Sequence, residues 1–394
     1  MVEQHELGTT WSLVSDDDAL ARAAESLASG RGPVGVDAER ASGFRYGGEA
    51  YLVQVSRRDA GTFLFDPTTI GGFAPLGDAL SGEEWILHSA SQDLACLAAL
   101  GLSPERLFDT ELASRLLGFE RVGLGSIVER LLGIHLEKAH SASDWSRRPL
   151  PDAWLEYAAL DVALLPDLRD AVAEELDAQG KTEIALQEFE SVRTRPPKPA
   201  SAEPWRRLSG GNRLKASREL AIARELWFAR DELARAEDTA PGRLLPDSSI
   251  IVAASAMPRS AAHLAGLSDF RGRASRRELD RWWRAVLRAK TSDDLPGPPK
   301  REPGSIPHHR NWAQRHPEAA ARLAAARAAL AEEAERLTMP LENLLTPDTL
   351  RRLAWDPPSP ATPETVSARL LELGARPWQA IATAAVIAEA FVDH

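Results

Sequence analysis

Asp37 and Glu39 stand two residues apart in the stretch Val34-Gly35-Val36-Asp37-Ala38-Glu39-Arg40. Val34, Val36 and Ala38 alternate with Gly35, Asp37 and Glu39, which predicts a strand carrying both carboxylates on one face. Two anions side by side on a buried strand repel each other and lose hydration, and a cation between them relieves both effects. A strand end where both acids reach water needs no such ion, so the pair alone leaves both readings open. Two further acids follow. Asp93 lies near the start of a helix after His88-Ser89-Ala90-Ser91-Gln92, and Asp161 lies one helical turn beyond Tyr157 in Tyr157-Ala158-Ala159-Leu160-Asp161-Val162, on the same helix face. Each has an ordinary alternative: a helix cap or dipole partner for Asp93, a surface acid for Asp161, a half-buried core residue for Tyr157.

The elements that must position these residues are legible as an alternation. After the strand at 34–40 come strands at 50–56 and 62–66, joined by Arg57-Arg58-Asp59-Ala60-Gly61 as a hairpin. A helix at 73–80, a strand at 85–88, a helix at 91–100, a strand at 107–109 and a helix at 110–117 follow, with helices dominating 123–176. Antiparallel strands first and strand–helix alternation afterwards indicate an α/β fold, a mixed sheet with helices on both faces. The proline-rich 192–199 and 295–299 then separate two helical blocks. Leu226, Trp227, Leu233 and Ala234 recur at helical spacing on one segment of the first block, which Pro241-Gly242 is expected to end. The second has helices expected at 319–337, 347–354, 363–373 and 377–392. The domains expected are 1–190, 205–291 and 308–394, with linkers at 191–204 and 292–307.

Composition narrows the classes. The net charge of −11 is unevenly spread. Residues 1–190 hold 15 basic against 33 acidic side chains, and 203–301 hold 20 against 13. An acidic domain coupled to a module that can approach phosphates fits that segregation, as does a solvated basic face. A single cysteine, Cys96, excludes an internal disulfide framework and a cysteine zinc site, and its neighbours Leu94, Leu97 and Ala98 mark it as a small buried hydrophobe. The acidic Asp16-Asp17-Asp18 replaces the basic segment of a secretory signal, and the longest apolar run, 379–392, is too short to span a bilayer and carries Glu389. A soluble, cytoplasmic protein without membrane contact is expected. No G-x-x-x-x-G-K-[ST] loop is present, so no ATP is expected.

The ordered set D-x-E, Asp, Y-x-x-x-D resembles the DEDD exonuclease superfamily, in the branch with tyrosine in its third motif. Phe108-Asp109-Thr110-Glu111-Leu112-Ala113 and Ser143-Asp144-Trp145-Ser146-Arg147-Arg148-Pro149-Leu150 bring the match closer to the ribonuclease D family. Leu226-Trp227-Phe228-Ala229-Arg230, Pro241-Gly242-Arg243-Leu244-Leu245-Pro246-Asp247 and Met257-Pro258 resemble the HRDC domain, and Met339-Pro340-Leu341-Glu342-Asn343-Leu344-Leu345 resembles a second HRDC-like domain. The resemblance implies a ribonuclease H-like mixed-sheet exonuclease domain followed by two all-α domains. It implies a 3′→5′ exoribonuclease that releases nucleoside 5′-monophosphates, with transfer-RNA precursors or other structured RNA as partner. A DNA exonuclease of the same superfamily is the alternative, then a non-catalytic nucleic-acid-binding protein.

By the same resemblance Asp37, Glu39, Asp93 and Asp161 hold two divalent ions, Mg²⁺ or Mn²⁺, and Tyr157 orients the attacking water. Carboxylates without His or Cys partners suit such hard cations, and a pair of them roughly 3.5–4 Å apart clamps the attacking and leaving oxygens of an in-line displacement. Gln54, His88, Lys138, Arg147 and Arg148 are second-tier candidates for contacting substrate. For each cation an ion pair with an acid such as Asp144 or Asp152 is the alternative. Trp145 reads as core. Removing residues 203–394 is expected to weaken RNA binding more than it slows hydrolysis.

Overall fold

The computed structural model describes residues 10–136, 143–197, 199, 201–270, 272–298 and 304–392. Its sheet has six strands, β1 (Trp11–Val14), β2 (Arg31–Arg40), β3 (Ala50–Arg58), β4 (Gly61–Phe65), β5 (Glu84–Leu87) and β6 (Arg106–Asp109), in the order β1-β4-β3-β2-β5-β6. β2 is a central strand, antiparallel to β3 and parallel to β5. The β3–β4 hairpin turns at Asp59, which adopts a positive φ of 64°. Between these strands run α1 (Asp17–Ser29), α2 (Ala74–Ala79) and α3 (Leu94–Ala99), and after β6 come α4 (Thr110–Leu116), α5 (Leu124–Leu132), α6 (Asp152–Ala163), α7 (Leu165–Ala178) and α8 (Thr182–Arg193). The sheet is mixed and helix-covered, as the alternation implied. β1 and α1 escaped the pattern, and α8 runs three residues past the expected boundary at 190.

The face of β2 that carries Asp37 and Glu39 also carries Gly35, and there the α6–α7 junction comes down onto the strand. A Cβ on Gly35 would lie 2.8 Å from the Val162 carbonyl oxygen and 3.1 Å from Leu165 Cβ. A glycine inside a strand weakens it, and here it admits a second backbone at contact distance. α6 buries Leu155, Ala158, Ala159 and Val162 against the sheet, which turns Tyr157 and Asp161 toward the strand's two acids. Gly35→Ala is therefore expected to push α6 outward and cost about 1–3 kcal/mol, the usual range for overpacking. A larger proportional loss of divalent-ion affinity than of stability in titration calorimetry is the expected signature. Unchanged ion affinity would contradict this packing account.

The middle helical block comprises α9 (Ser217–Ala236), α10 (Pro241–Leu244), α11 (Asp247–Ala256), α12 (Ala261–Ala265), α13 (Arg273–Arg277) and α14 (Leu279–Thr291). Pro241 begins α10 rather than ending α9, which stops at Ala236. The block has a core of its own around Leu226, Ile250 and Trp282. It docks on the loop 41–49 that leaves β2. There Tyr46 Oη donates to Asp231, Ala240 N–H donates to the Phe44 carbonyl at 2.9 Å, and the Arg243 guanidinium stacks 4.0 Å over the Phe44 ring.

The last block, α15 (Trp312–Arg315), α16 (Pro317–Arg336), α17 (Leu341–Leu344), α18 (Pro347–Trp355), α19 (Pro363–Glu372) and α20 (Pro377–Phe391), shares one core with the sheet domain among the described residues. Trp312, Leu330, Leu353 and Ile387 are continuous with Phe108, Leu116 and Phe189 of the sheet domain. The buried Glu188 accepts from Arg376 at 2.6 and 2.7 Å and from Trp378 Nε1 at 2.8 Å, and Lys181 Nζ bridges the carbonyls of Leu116 and Thr338. Removing residues 203–394, expected from the sequence to weaken RNA binding more than hydrolysis, therefore also reaches the fold of the sheet domain. Truncation at 203 opens the shared core and strands a buried carboxylate, a defect worth roughly 3–5 kcal/mol by itself. Against a total stability of about 5–15 kcal/mol, the truncated chain is expected to lose cooperative unfolding in circular dichroism. A sharp transition near that of the full chain would contradict the shared core.

Candidate active site

The two acids of β2 project into a cavity of about 490 Å³ that also receives Arg40, His88, Gln92, Asp93, Tyr157 and Asp161. It opens at the carboxyl ends of β2 and β5, where an α/β sheet gathers its site residues. Within it, one carboxylate oxygen each of Asp37, Glu39 and Asp161 lies within 4.8 Å of the other two. Asp93 borders the same cavity. It stands at the amino terminus of α3 without capping it, since its side chain accepts no helix amide.

The position of Asp93 is set indirectly by Asp109. That buried carboxylate accepts four backbone amides at 2.9–3.1 Å, Glu111 and Leu112 at the start of α4, and Ser89 and Ala90 in the turn that leads to Asp93. Ser89 takes the left-handed conformation, φ 67°, so the two turn amides on Asp109 hold a strained turn that brings Asp93 to the cavity, and the other two tie it to α4. Phe108-Asp109-Thr110-Glu111 is thus a brace for the site. Thr110 Oγ1 continues it, meeting His88 Nδ1 at 2.9 Å.

Burial raises the pKa of every carboxyl in the cluster. Asp37 is raised by desolvation, Asp93 by desolvation and by Asp37, and Glu39 by desolvation together with Asp37, Asp161 and Asp93. Asp161 is pushed up to about 7 by desolvation and the Asp37 charge. The Tyr157 hydroxyl, buried and hydrogen-bonded to Asp161, is held far above its ordinary value. These groups resist ionisation because, among the described residues lining the cavity, the one positive group is Arg40, whose Nη2 lies 3.5 Å from Asp93 Oδ1. A set of buried oxygen donors with no His or Cys member fits a hard divalent cation, which restores the charge balance that burial removes.

The second-tier candidates divide. His88 lines the cavity, but burial lowers its pKa to about 4, and its ring is hydrogen-bonded to Thr110 and to the backbone of Val122. Gln54 faces Asp37 across the strand pair and is fully buried, its amide atoms without partners among the described residues. Arg148 is a correction. Its guanidinium clamps Asp66 at 2.6 Å through two nitrogens and donates to the Tyr51 and Trp145 carbonyls, so it ties β3 to the segment before α6. The acid it pairs with is Asp66, and Asp144 accepts instead from Ser146. Arg147 is exposed and lies outside the cavity wall. Lys138 lies outside the described residues. Trp145 is fully buried beside Trp154, and Cys96 is buried with its thiol donating to the Asp93 carbonyl.

Arg40 is the residue that reading the sequence missed. Strict alternation sends it to the face opposite Asp37 and Glu39. The β2–β3 register shifts between Glu39 and Arg40, and such an irregularity re-aims side chains next to a site. A cation directly after an acidic pair was the available signal.

Comparison with known proteins places this arrangement. Residues 12–177 match a family of 3′-5′ exonucleases, 219–286 the HRDC domain, and 305–391 a 3′ to 5′ exonuclease C-terminal domain. A ribonuclease D of Granulibacter bethesdensis is 30% identical over 285 residues, 70% of this chain and 71% of the relative. A ribonuclease D of Gluconacetobacter diazotrophicus is 32% identical over 242 residues, and there the chain spans 60% of the relative's length. Among solved structures, a protein from Bifidobacterium adolescentis superposes with a TM-score of 0.89 at 36% identity, covering 96% of each chain. Escherichia coli RNase D, an exoribonuclease involved in structured RNA processing, superposes with a TM-score of 0.69 at 25% identity, covering 93% of this chain and 98% of its own. With its mixed-sheet exonuclease fold and two helical blocks, the chain belongs to the ribonuclease D family.

Proposed function

We propose that this protein is a metal-dependent 3′→5′ exoribonuclease that releases nucleoside 5′-monophosphates one at a time, with Asp37, Glu39, Asp93 and Asp161 as its metal ligands. The observation that carries this reading is the convergence of buried carboxylates from three separate elements on one cavity, each resisting ionisation. Two divalent ions, Mg²⁺ or Mn²⁺, would supply charge stabilisation of the in-line displacement and a nucleophile at neutral pH. Tyr157 keeps its proton, because its pKa is raised further from an ordinary value of about 10. It therefore acts by position: its hydroxyl, tied to Asp161, orients the attacking water and takes no proton from it. His88, neutral at pH 7, braces the cavity wall through Thr110 and Val122 and moves no proton.

Structured RNA 3′ ends, transfer-RNA precursors among them, are the substrates this reading favours, and the basic excess of residues 203–301 supports it. The carboxylates do not read the 2′-hydroxyl, so polymer choice needs its own test. Matched 5′-labelled RNA and DNA with single-stranded 3′ ends, incubated with Mn²⁺, should give a one-nucleotide ladder on RNA first. Faster degradation of the DNA strand would transfer the activity to DNA, and internal cuts would refute exonucleolytic action.

A further inference from the structure

Arg40 is the one permanently charged cation on the cavity wall among the described residues. Its side chain is 32% exposed while that of Asp93 is 8% exposed, and Asp93 is its one ion-pair partner among those residues. The 3.5 Å separation exceeds the roughly 2.7–2.9 Å of a firm charge-assisted hydrogen bond. The guanidinium is therefore near its acid and loosely held, with donor positions left over. A cation so placed offsets part of the negative charge of its acid partner. A guanidinium also matches a phosphodiester in shape and charge.

We propose that Arg40 is a positioning residue that stands in for a cation beside Asp93 in the metal-free site and turns to a phosphate of the RNA's 3′-terminal nucleotides once Asp93 binds metal. The proposal rests on the function proposed above and names a residue that function does not require. Its position supports the exchange. Arg40 follows Glu39 directly at the end of β2 and shares the cavity with all four acids. Metal and guanidinium compete for one carboxylate, so removing Arg40 must help the metal while it harms RNA binding. A merely structural arginine cannot give those opposite signs, because its loss loosens the site for both ligands.

The test titrates Mn²⁺ by calorimetry into full-length wild type, Arg40→Ala and Arg40→Lys. It then measures the affinity of each, at saturating Mn²⁺ and across a salt series, for single-stranded RNA whose last linkage is non-hydrolysable. Arg40→Ala should bind Mn²⁺ tighter by roughly two- to fivefold, the range of a partly exposed ion pair. Its RNA affinity should fall about tenfold or more, as for one charged hydrogen bond. The slope of log affinity against log salt should shrink by about 0.7, one single-strand phosphate contact. Arg40→Lys should recover part of the RNA affinity and most of the salt slope. Weakening of both ligands, or no change in either, overturns the proposal. Wild type that binds Mn²⁺ and RNA keeps the proposed function intact in that event, whereas wild type that binds neither removes both readings.

Discussion

Asp37→Asn is expected to melt at a higher temperature than wild type in chelator and to lose RNA hydrolysis almost completely. Both effects have one cause. Asp37 faces Glu39 on the strand, its charge raises the pKa of Glu39, Asp93 and Asp161, and burial denies it hydration. An amide of the same shape removes that repulsion, and each kcal/mol relieved raises the midpoint by about 2–4 °C in domains of 150–250 residues. The same change deletes the acid that touches electrostatically on the other three. Substitutions of groups that only support a metal ligand lower affinity or activity by roughly 10–100-fold, so a ligand itself should cost more than that. Thermal melts and 5′-labelled RNA assays on one preparation check both halves. A lower melting temperature with activity retained would place Asp37 in the fold and remove it from the site.

The second large effect is a pH-dependent stabilisation by divalent ions. The carboxyl groups of the cluster have folded pKa values raised above their unfolded values of about 4, Asp161 to about 7 and Glu39 and Asp93 upward with it. Their favourable contribution is fully present below the unfolded pKa and is lost as pH rises through the folded values. The metal-free protein should therefore lose stability from pH 6 toward pH 9. Metal competes with those protons, so the stabilisation by a fixed Mg²⁺ concentration should grow over the same interval. At about 100 times the dissociation constant the gain is about 2.7 kcal/mol. Melts at pH 6, 7.5 and 9, with Mg²⁺ and with chelator, read it directly. A Mg²⁺ shift that is equal at all three values, or largest at pH 6, would contradict an anionic cation site.

What the sequence made legible was what strict periodicity controls. Asp37 and Glu39 share a face because strand side chains alternate, and Tyr157 and Asp161 share one because they are a helical turn apart. Gly35 could be read only as part of that alternation. Its use, admitting the Val162 carbonyl, depends on a helix more than a hundred residues away. β1 has four residues with one buried, too few for a period to register. Arg40 was lost to a register shift that local sequence does not encode.

The helical blocks show the same division. Their helices were legible from apolar spacing and proline starts, and α16, α18, α19 and α20 lie within two residues of the expected bounds. Their attachments were not legible. Glu188 sits in Gln187-Glu188-Phe189-Glu190, where it reads as one of several surface acids, and it is buried against Arg376 and Trp378. Arg148 in Ser146-Arg147-Arg148-Pro149 gives no sign that its partner is Asp66, 82 positions earlier. Long-range ion pairs are chosen by the fold. Among the described residues no helix is long and apolar enough to cross a membrane.

On the proposed function, filling the Asp37 cluster with a divalent cation is what makes the protein an exonuclease. The most direct measurement follows 5′-labelled RNA through a Mn²⁺ titration, with wild type and Asp37→Asn side by side and a chelator control. Wild type should produce a one-nucleotide ladder from the 3′ end that grows with Mn²⁺ and vanishes in chelator, and Asp37→Asn should leave the RNA whole at every concentration. A ladder in chelator, or an undiminished ladder from Asp37→Asn, would contradict it.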